Sequence, residues 1–123
     1  MSEETGLKPQ ISAEEFFRLD IRLGRIVAVE EFPQARKPAY KLRVDLGAEI
    51  GTRSSSAQIT ERYTREELLG RRVWCVANLP PRRIGPFLSE VLVLGGVDEG
   101  GAVVLAGIDE SRGVAIADGA PLL

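Results

Sequence analysis

The chain has 123 residues, which is the size of one ordinary domain. Hydrophobic residues make up 44% and charged residues 28%, a balance that favours a packed globular fold and excludes disorder over the whole chain. With one cysteine and no histidine, an internal disulfide, a thiolate zinc site and a histidine general base are excluded. We therefore predict a protein that is not an enzyme and needs no cofactor or metal.

Neither a membrane span nor an export signal is predicted. No apolar run approaches the ~20 residues that a membrane-spanning helix needs. The first residues are acidic, whereas a signal peptide begins with basic residues and continues with apolar ones. We expect a cytoplasmic protein without membrane insertion.

The formal net charge of −2 hides an uneven distribution. Residues 32–89 carry 11 cationic and 5 acidic side chains, whereas the segments on either side are acidic. Of the 16 cationic residues 13 are arginine, whose planar guanidinium suits phosphate and carboxylate groups. A GC-rich genome would enrich arginine in the same way. The uneven distribution of charge along the chain is therefore better evidence for a binding site than the number of arginines.

Residues 1–11 lack a periodic apolar pattern, and we expect a flexible tail followed by a single domain over residues 12–123. A capping-box pattern from Ser12 to Glu15 predicts a short helix within residues 13–19. Apolar and polar residues then alternate from residue 20, which predicts a long first strand with a bulge at Gly24. The prolines of residues 33–38 end that strand.

The clearest alternation covers residues 40–46 and predicts the second strand. Residues 47–51 have the glycines of a hairpin connection, and a third strand with a run of hydroxyl residues follows over 52–59. A second capping-box pattern predicts a short helix over residues 64–70.

The remaining pattern predicts a fourth strand over 72–78, a loop over 80–88, a fifth strand over 90–94 and a terminal hairpin. Five strands with a helix between the third and fourth are the element order of an OB-fold. We therefore predict an all-β protein, a five-stranded OB-fold barrel with a short N-terminal helix and a C-terminal hairpin extension. Seven short strands would instead form a β-sandwich, which remains the alternative.

Cationic side chains concentrate on strands and loops that such a barrel brings onto neighbouring surfaces. They are Arg36, Lys37, Lys41, Arg43, Arg53, Arg82 and Arg83. A cluster of this kind suits a phosphate-bearing partner, although unrelated solvated charges would give the same sequence pattern. Aromatic residues are only 6% of the chain, which favours recognition of a folded RNA over stacking along a single strand.

Several separated motifs stand out along the chain: DIRLGRI at 20–26, ARKPAYKL at 35–42, SSAQIT at 55–60 and VANLPPRRI at 76–84, followed by SEVLVL at 89–94. Together they resemble the motifs of CsaA proteins, a branch of the tRNA-binding-domain family. The resemblance implies a homodimer of OB-fold subunits without catalytic activity. It also implies that the chain binds tRNA. In addition, it implies a chaperone role, in which the chain binds unfolded precursor polypeptides before these polypeptides are exported.

Matching the motifs and adding the cationic cluster predicts one RNA- or peptide-binding site. Its members are Arg36, Lys37, Tyr40, Lys41, Arg53, Ser55, Ser56, Gln58, Asn78, Arg82, Arg83, Phe87 and Ser89. The chain departs from the family where many members read Ser-x-Gly-Met, because it reads Ser-Glu-Val-Leu over residues 89–92, with a carboxylate at Glu90. We expect this carboxylate to repel phosphate and to favour a cationic residue of a peptide.

The motifs and the cationic cluster support two functions. The first is an export chaperone that binds unfolded precursor polypeptides, with tRNA-binding capacity on its basic face. The second is a tRNA-binding module that acts in trans in translation or tRNA handling. The expected partners are a second copy of the chain, tRNA, precursor polypeptides and the protein export machinery.

Overall fold

The computed structural model describes residues 6–123, apart from the side chain of Val114. Residues 1–5 of the expected tail lie outside this range, and residues 6–11 are exposed and form neither a helix nor a strand. No helix in residues 6–123 is long and apolar enough to cross a membrane.

The strands in chain order are β1 Ile21–Glu31, β2 Tyr40–Asp45, β3 Thr52–Ala57, β4 Arg72–Val76, β5 Arg82–Ile84, β6 Phe87–Ser89, β7 Leu92–Val93, β8 Gly95–Val97 and β9 Val103–Leu105. The helices are α1 Ala13–Phe16, α2 Gly47–Ile50 and α3 Arg65–Leu68, and a 3₁₀ turn covers Gly113–Ala115. Both predicted capping boxes form, and each places a hydroxyl and a glutamate at the start of its helix, α1 and α3.

Five strands form one antiparallel sheet in the order β3-β2-β1-β4-β7. The first half of β1 pairs with β4 and the second half pairs with β2, so β1 belongs to both sides of the sheet. The carbonyl of Ser54 on β3 accepts hydrogen bonds from the N–H groups of Glu90 (2.8 Å) and Val91 (3.2 Å). These bonds bring the two sheet edges together and nearly close the barrel, which confirms the predicted OB-fold.

The inward residues of the barrel form one apolar core. Its buried members are Ile26, Tyr40, Leu42, Val44, Leu46, Ile59, Leu68, Val73, Cys75 and Val91. Burial raises the pKa of the Cys75 thiol to about 12. The thiol therefore stays protonated and acts as a small apolar packing group.

Gly24 was predicted to mark a bulge, and this was wrong. The register of β1 against β2 shifts between Ile26 and Ala28 instead. Gly24 allows close packing, because a Cβ there would lie 2.3 Å from Cγ1 of Val44 and 2.9 Å from Cδ2 of Leu46. Val44 and Leu46 therefore occupy the space that a side chain at position 24 would need.

Residues 47–51 connect the antiparallel strands β2 and β3, which confirms the predicted hairpin connection, and residues 47–50 form the helical turn α2 within it. Two further local predictions need correction. The terminal hairpin was predicted from apolar runs at residues 102–106 and 114–116, but it pairs β8 with β9, and residues 113–115 form the 3₁₀ turn. The fifth barrel strand is reduced to β7, because Glu90 and Val91 bond across to β3.

The predicted loop over residues 80–88 is also wrong, because β5 and β6 form a hairpin with Gly85 and Pro86 at its turn. Ser54 anchors this hairpin: its hydroxyl donates to the carbonyl of Leu88 (2.6 Å), and its N–H donates to the carboxylate of Glu90 (2.9 Å). The hydroxyl of Ser89 accepts the N–H of Ser56 (3.1 Å). These bonds fix β5, which carries Arg82 and Arg83, against the barrel.

Replacing Gly24 with alanine should lower the free energy of unfolding by about 1–3 kcal/mol, because the new methyl group overlaps Val44 and Leu46. Gly96→Ala is the matched control, since a Cβ at Gly96 meets nothing within 4 Å. Denaturant unfolding measures both variants. Equal free energies for the two variants would contradict the close packing of Gly24 in the core.

The pKa of Glu90 is lowered, first by the hydrogen bond from the Ser54 N–H and then by the Ser54 hydroxyl and Arg53. An ionised Glu90 therefore stabilises the fold above the unfolded pKa, and this contribution is lost as the pH falls through the lower folded value. We expect Glu90→Gln to be less stable than the natural chain at pH 7, with a smaller difference below about pH 4.

Denaturant unfolding at the two pH values measures this difference, and the exposed Glu99→Gln serves as the control. A Glu90→Gln effect that is the same at pH 7 and about pH 3 would exclude the proposed role of the charge.

Candidate nucleic-acid interface

A cavity of about 740 Å³ opens beside the β5–β6 hairpin. Its walls come from residues 34–37 of the loop after β1, residues 56–59 at the end of β3, and residues 82–85 of the hairpin. Its floor is apolar and includes Ile59, Val93, Val103 and Leu105. We call this cavity the hairpin pocket.

Four cationic side chains line the hairpin pocket, and all four residues are exposed: Arg36, Lys37, Arg82 and Arg83. Within residues 6–123, none of the four forms an ion pair. No aspartate or glutamate of the described chain lines the pocket. The pocket therefore presents positive charge that the protein itself does not neutralise.

The other three predicted cations lie elsewhere. The Lys41 ammonium lies 5.6 Å and 5.8 Å from the ring centres of Phe32 and Phe87, and 3.5 Å from the carboxylate of Glu30. Arg53 lies 3.8 Å from the carboxylate of Glu90. Arg43 is exposed on β2 and does not line the pocket. The single cationic surface expected from the sequence is therefore divided.

The predicted polar residues are divided in the same way. Ser56 and Gln58 line the hairpin pocket. Ser55 is buried and donates its hydroxyl to the carbonyl of Val91 (2.7 Å). Tyr40 is buried as well, and its hydroxyl donates to the carbonyl of Tyr63 (3.0 Å). The side chains of Ser55 and Tyr40 thus point into the barrel and away from any surface partner.

Three predicted residues have structural roles: Phe87 and Ser89 lie next to the pocket, and Asn78 lies outside it. The amide of Asn78 donates to the carbonyl of Arg18 (2.8 Å) and accepts the N–H of Asp20 (2.8 Å), which holds the chain after α1 against β4. The Phe87 ring packs edge-on against Phe32, with ring centres 5.3 Å apart. Ser89 accepts the bond from Ser56 described above.

Glu90 does not stand free beside the pocket. Its carboxylate accepts the N–H of Ser54 (2.9 Å), lies 3.0 Å from the Ser54 hydroxyl oxygen and lies near Arg53. The expectation that Glu90 repels phosphate or binds a peptide cation is therefore not supported by its surroundings. It acts as an anchor for the hairpin.

Sequence reasoning did not include Gln34 or the pocket floor. The sequence could have predicted that Gln34 belongs to the site, because Gln34 shares the proline-flanked loop with Arg36 and Lys37. The floor residues Val93, Val103 and Leu105 had none, since their position depends on how the C-terminal hairpin packs on the barrel. In residues 6–123, no group of three or more aspartate, glutamate, histidine or cysteine side chains is placed to hold a metal ion.

Comparison with solved structures identifies similar folds. The chaperone CsaA of Bacillus anthracis has 43% sequence identity and a TM-score of 0.84, covering 94% of this chain and 100% of that one. The CsaA chaperone protein of Picrophilus torridus has 40% identity and a TM-score of 0.84, covering 93% of this chain and 100% of that one.

Curated relatives include the methionine–tRNA ligase 1 of Sorangium cellulosum, which is 43% identical over 93 residues. The matched segment is 76% of this chain but 13% of the ligase, so the chain corresponds to a small part of that enzyme. Residues 21–115 match the family described as "Putative tRNA binding domain". The chain therefore belongs to the tRNA-binding-domain family and is a CsaA-like member of it.

Proposed function

We propose that the chain is a non-catalytic module that binds tRNA at the hairpin pocket. The observation that carries this proposal is the set of four cations around one cavity, with no carboxylate of the described chain among them. Each RNA phosphate that such a side chain neutralises releases counterions, which provides affinity without any covalent chemistry.

The contacts expected are with the RNA backbone and shape. Phe32 is the aromatic residue lining the pocket, and it is only 4% exposed, so it offers no surface on which bases stack. Ser56 and Gln58 add hydrogen-bonding groups that suit sugar hydroxyls and phosphates. Membership of the tRNA-binding-domain family supports tRNA as the RNA.

A second candidate function is a chaperone for unfolded precursor polypeptides before their export from the cytoplasm. The apolar floor of the pocket favours it, because Val93, Val103 and Leu105 offer aliphatic surface that an RNA backbone does not need. The likeness to two CsaA chaperones over more than nine-tenths of the chain also supports it. In this function the export machinery receives the bound precursor.

We also propose that the chain forms a homodimer. Phe17 beside α1 is 62% exposed and Val97 on β8 is 71% exposed. Phe16 and Val104 are exposed as well, so the α1 region and the β8–β9 hairpin both carry apolar surface. A second copy that covers this surface would place two hairpin pockets on one particle.

For the tRNA function, Arg82→Ala and Arg83→Ala should each weaken tRNA binding across different tRNA sequences. Each variant should also reduce the slope of log affinity against log salt concentration by about one, because one phosphate contact is lost. Filter binding or fluorescence anisotropy at several salt concentrations measures both quantities.

Arg112→Ala is the matched control, since Arg112 is exposed, lies 3.4 Å from Asp109 and is outside the pocket. A salt-independent affinity, or equal losses for Arg83→Ala and Arg112→Ala, would contradict the proposal.

For the chaperone function, the purified chain should slow the aggregation of an unfolded client protein, and Leu92→Ser should weaken this effect. Leu92 lines the pocket and is 49% exposed, so the substitution removes apolar surface without opening the core. Leu69→Ser is the control, because Leu69 is 53% exposed and lies outside the pocket.

Light scattering of the client protein measures its aggregation. The homodimer is tested separately: static light scattering of the purified chain alone should give the mass of two chains. A client that aggregates at an unchanged rate would exclude the chaperone function, and a single-chain mass would exclude the homodimer.

A further inference from the structure

We propose that the hairpin pocket binds an extended polypeptide segment in which acidic residues flank a large apolar one, and that this segment pairs with the free edge of β5. The inference deepens the proposed chaperone function and rests on it. It specifies which segments of an unfolded chain are captured and which are rejected.

The charges of the pocket select the acidic residues. Arg82 and Arg83 stand on the hairpin side, and Arg36 and Lys37 stand on the loop side. A carboxylate between them gains attraction from both walls, whereas a lysine or arginine is repelled by both. Since no carboxylate of the described chain lines the pocket, no negative charge there pairs with the basic residues of a peptide.

The floor of the pocket selects the apolar residue. Ile59 is buried, and Val93, Val103 and Leu105 pack against the barrel core while they line the cavity. These side chains are aliphatic, so they bury a leucine, isoleucine or phenylalanine but provide no ring on which a base stacks. The floor therefore favours a polypeptide over a nucleic-acid strand.

The backbone of β5 gives the third argument. Ile84 pairs with Phe87 across the turn, and Arg82 pairs with Ser89. In a hairpin with a two-residue turn these are the hydrogen-bonded pairs, so the N–H and C=O of Arg83 point away from β6. The carbonyl of Leu88, which lies opposite Arg83, likewise points away from β5 and accepts the Ser54 hydroxyl.

Within the described residues, β5 has β6 as its strand partner and no backbone hydrogen bond outside the hairpin uses Arg83. The free edge at Arg83 thus offers one donor and one acceptor beside the pocket. An extended peptide uses both groups, whereas a phosphate accepts from the N–H alone. This edge therefore matches the backbone of a polypeptide.

Fluorescence anisotropy with three labelled peptides tests the inference on the full chain. The peptides share one central leucine-valine-leucine segment, which is flanked by aspartates, by glutamines or by lysines. The aspartate peptide should bind at least tenfold more tightly than the lysine peptide at low salt, with the glutamine peptide between them. Methylation of the peptide nitrogens along one edge should reduce the affinity of the aspartate peptide at least tenfold.

Arg83→Gln should reduce the preference for the aspartate peptide over the lysine peptide severalfold. Arg112→Gln, which changes an exposed cation outside the pocket, should leave all three affinities unchanged. Equal or tighter binding of the lysine peptide, or full affinity of the methylated peptide, would overturn the inference.

The test also separates this inference from the tRNA function. If no peptide binds while tRNA binding still depends on Arg83, the pocket is an RNA site and the inference is wrong. If the aspartate peptide is preferred while Arg83→Ala leaves tRNA binding unchanged, the inference stands and the tRNA site lies elsewhere.

Discussion

The hairpin pocket depends on one set of hydrogen bonds, those of Ser54. Its carbonyl accepts from Glu90 and Val91, its N–H donates to the Glu90 carboxylate, and its hydroxyl donates to Leu88. These bonds close the barrel and hold the hairpin against β3 at the same point. Because the hairpin forms one wall of the pocket, the spacing between the cations of the two walls is set by this single residue and its partners.

The same bonds explain why some cations are free. The Glu90 carboxylate is engaged by Ser54 and Arg53, and so it does not reach Arg82 or Arg83. The remaining ion pairs of the described residues, such as Arg62 with Asp98 (2.6 Å) and Arg25 with Asp118 (3.1 Å), lie on other parts of the surface. An acidic chain thus keeps one locally cationic pocket, because none of the described carboxylates lines it.

The sequence predicted the barrel because alternation and capping boxes are local signals, but it predicted the site only in part. The alternation of β2 already places Tyr40 on the same face as Leu42, inside the barrel, whereas the family resemblance placed it on the binding surface. Ser55 lies opposite Leu42 and points inward for the same reason. Which cations stay unpaired depends on contacts between distant segments, such as Arg53 with Glu90, and no local pattern reports them.

The most direct test of the tRNA site is an NMR titration of the isotope-labelled chain with tRNA, which reports the backbone amides that a ligand perturbs. We expect the largest changes to cluster at residues 34–37, 56–59 and 82–85, the three walls of the hairpin pocket. Changes centred on another surface, such as the region around Arg18 and Asn78, with the pocket walls unaffected, would contradict binding at the pocket.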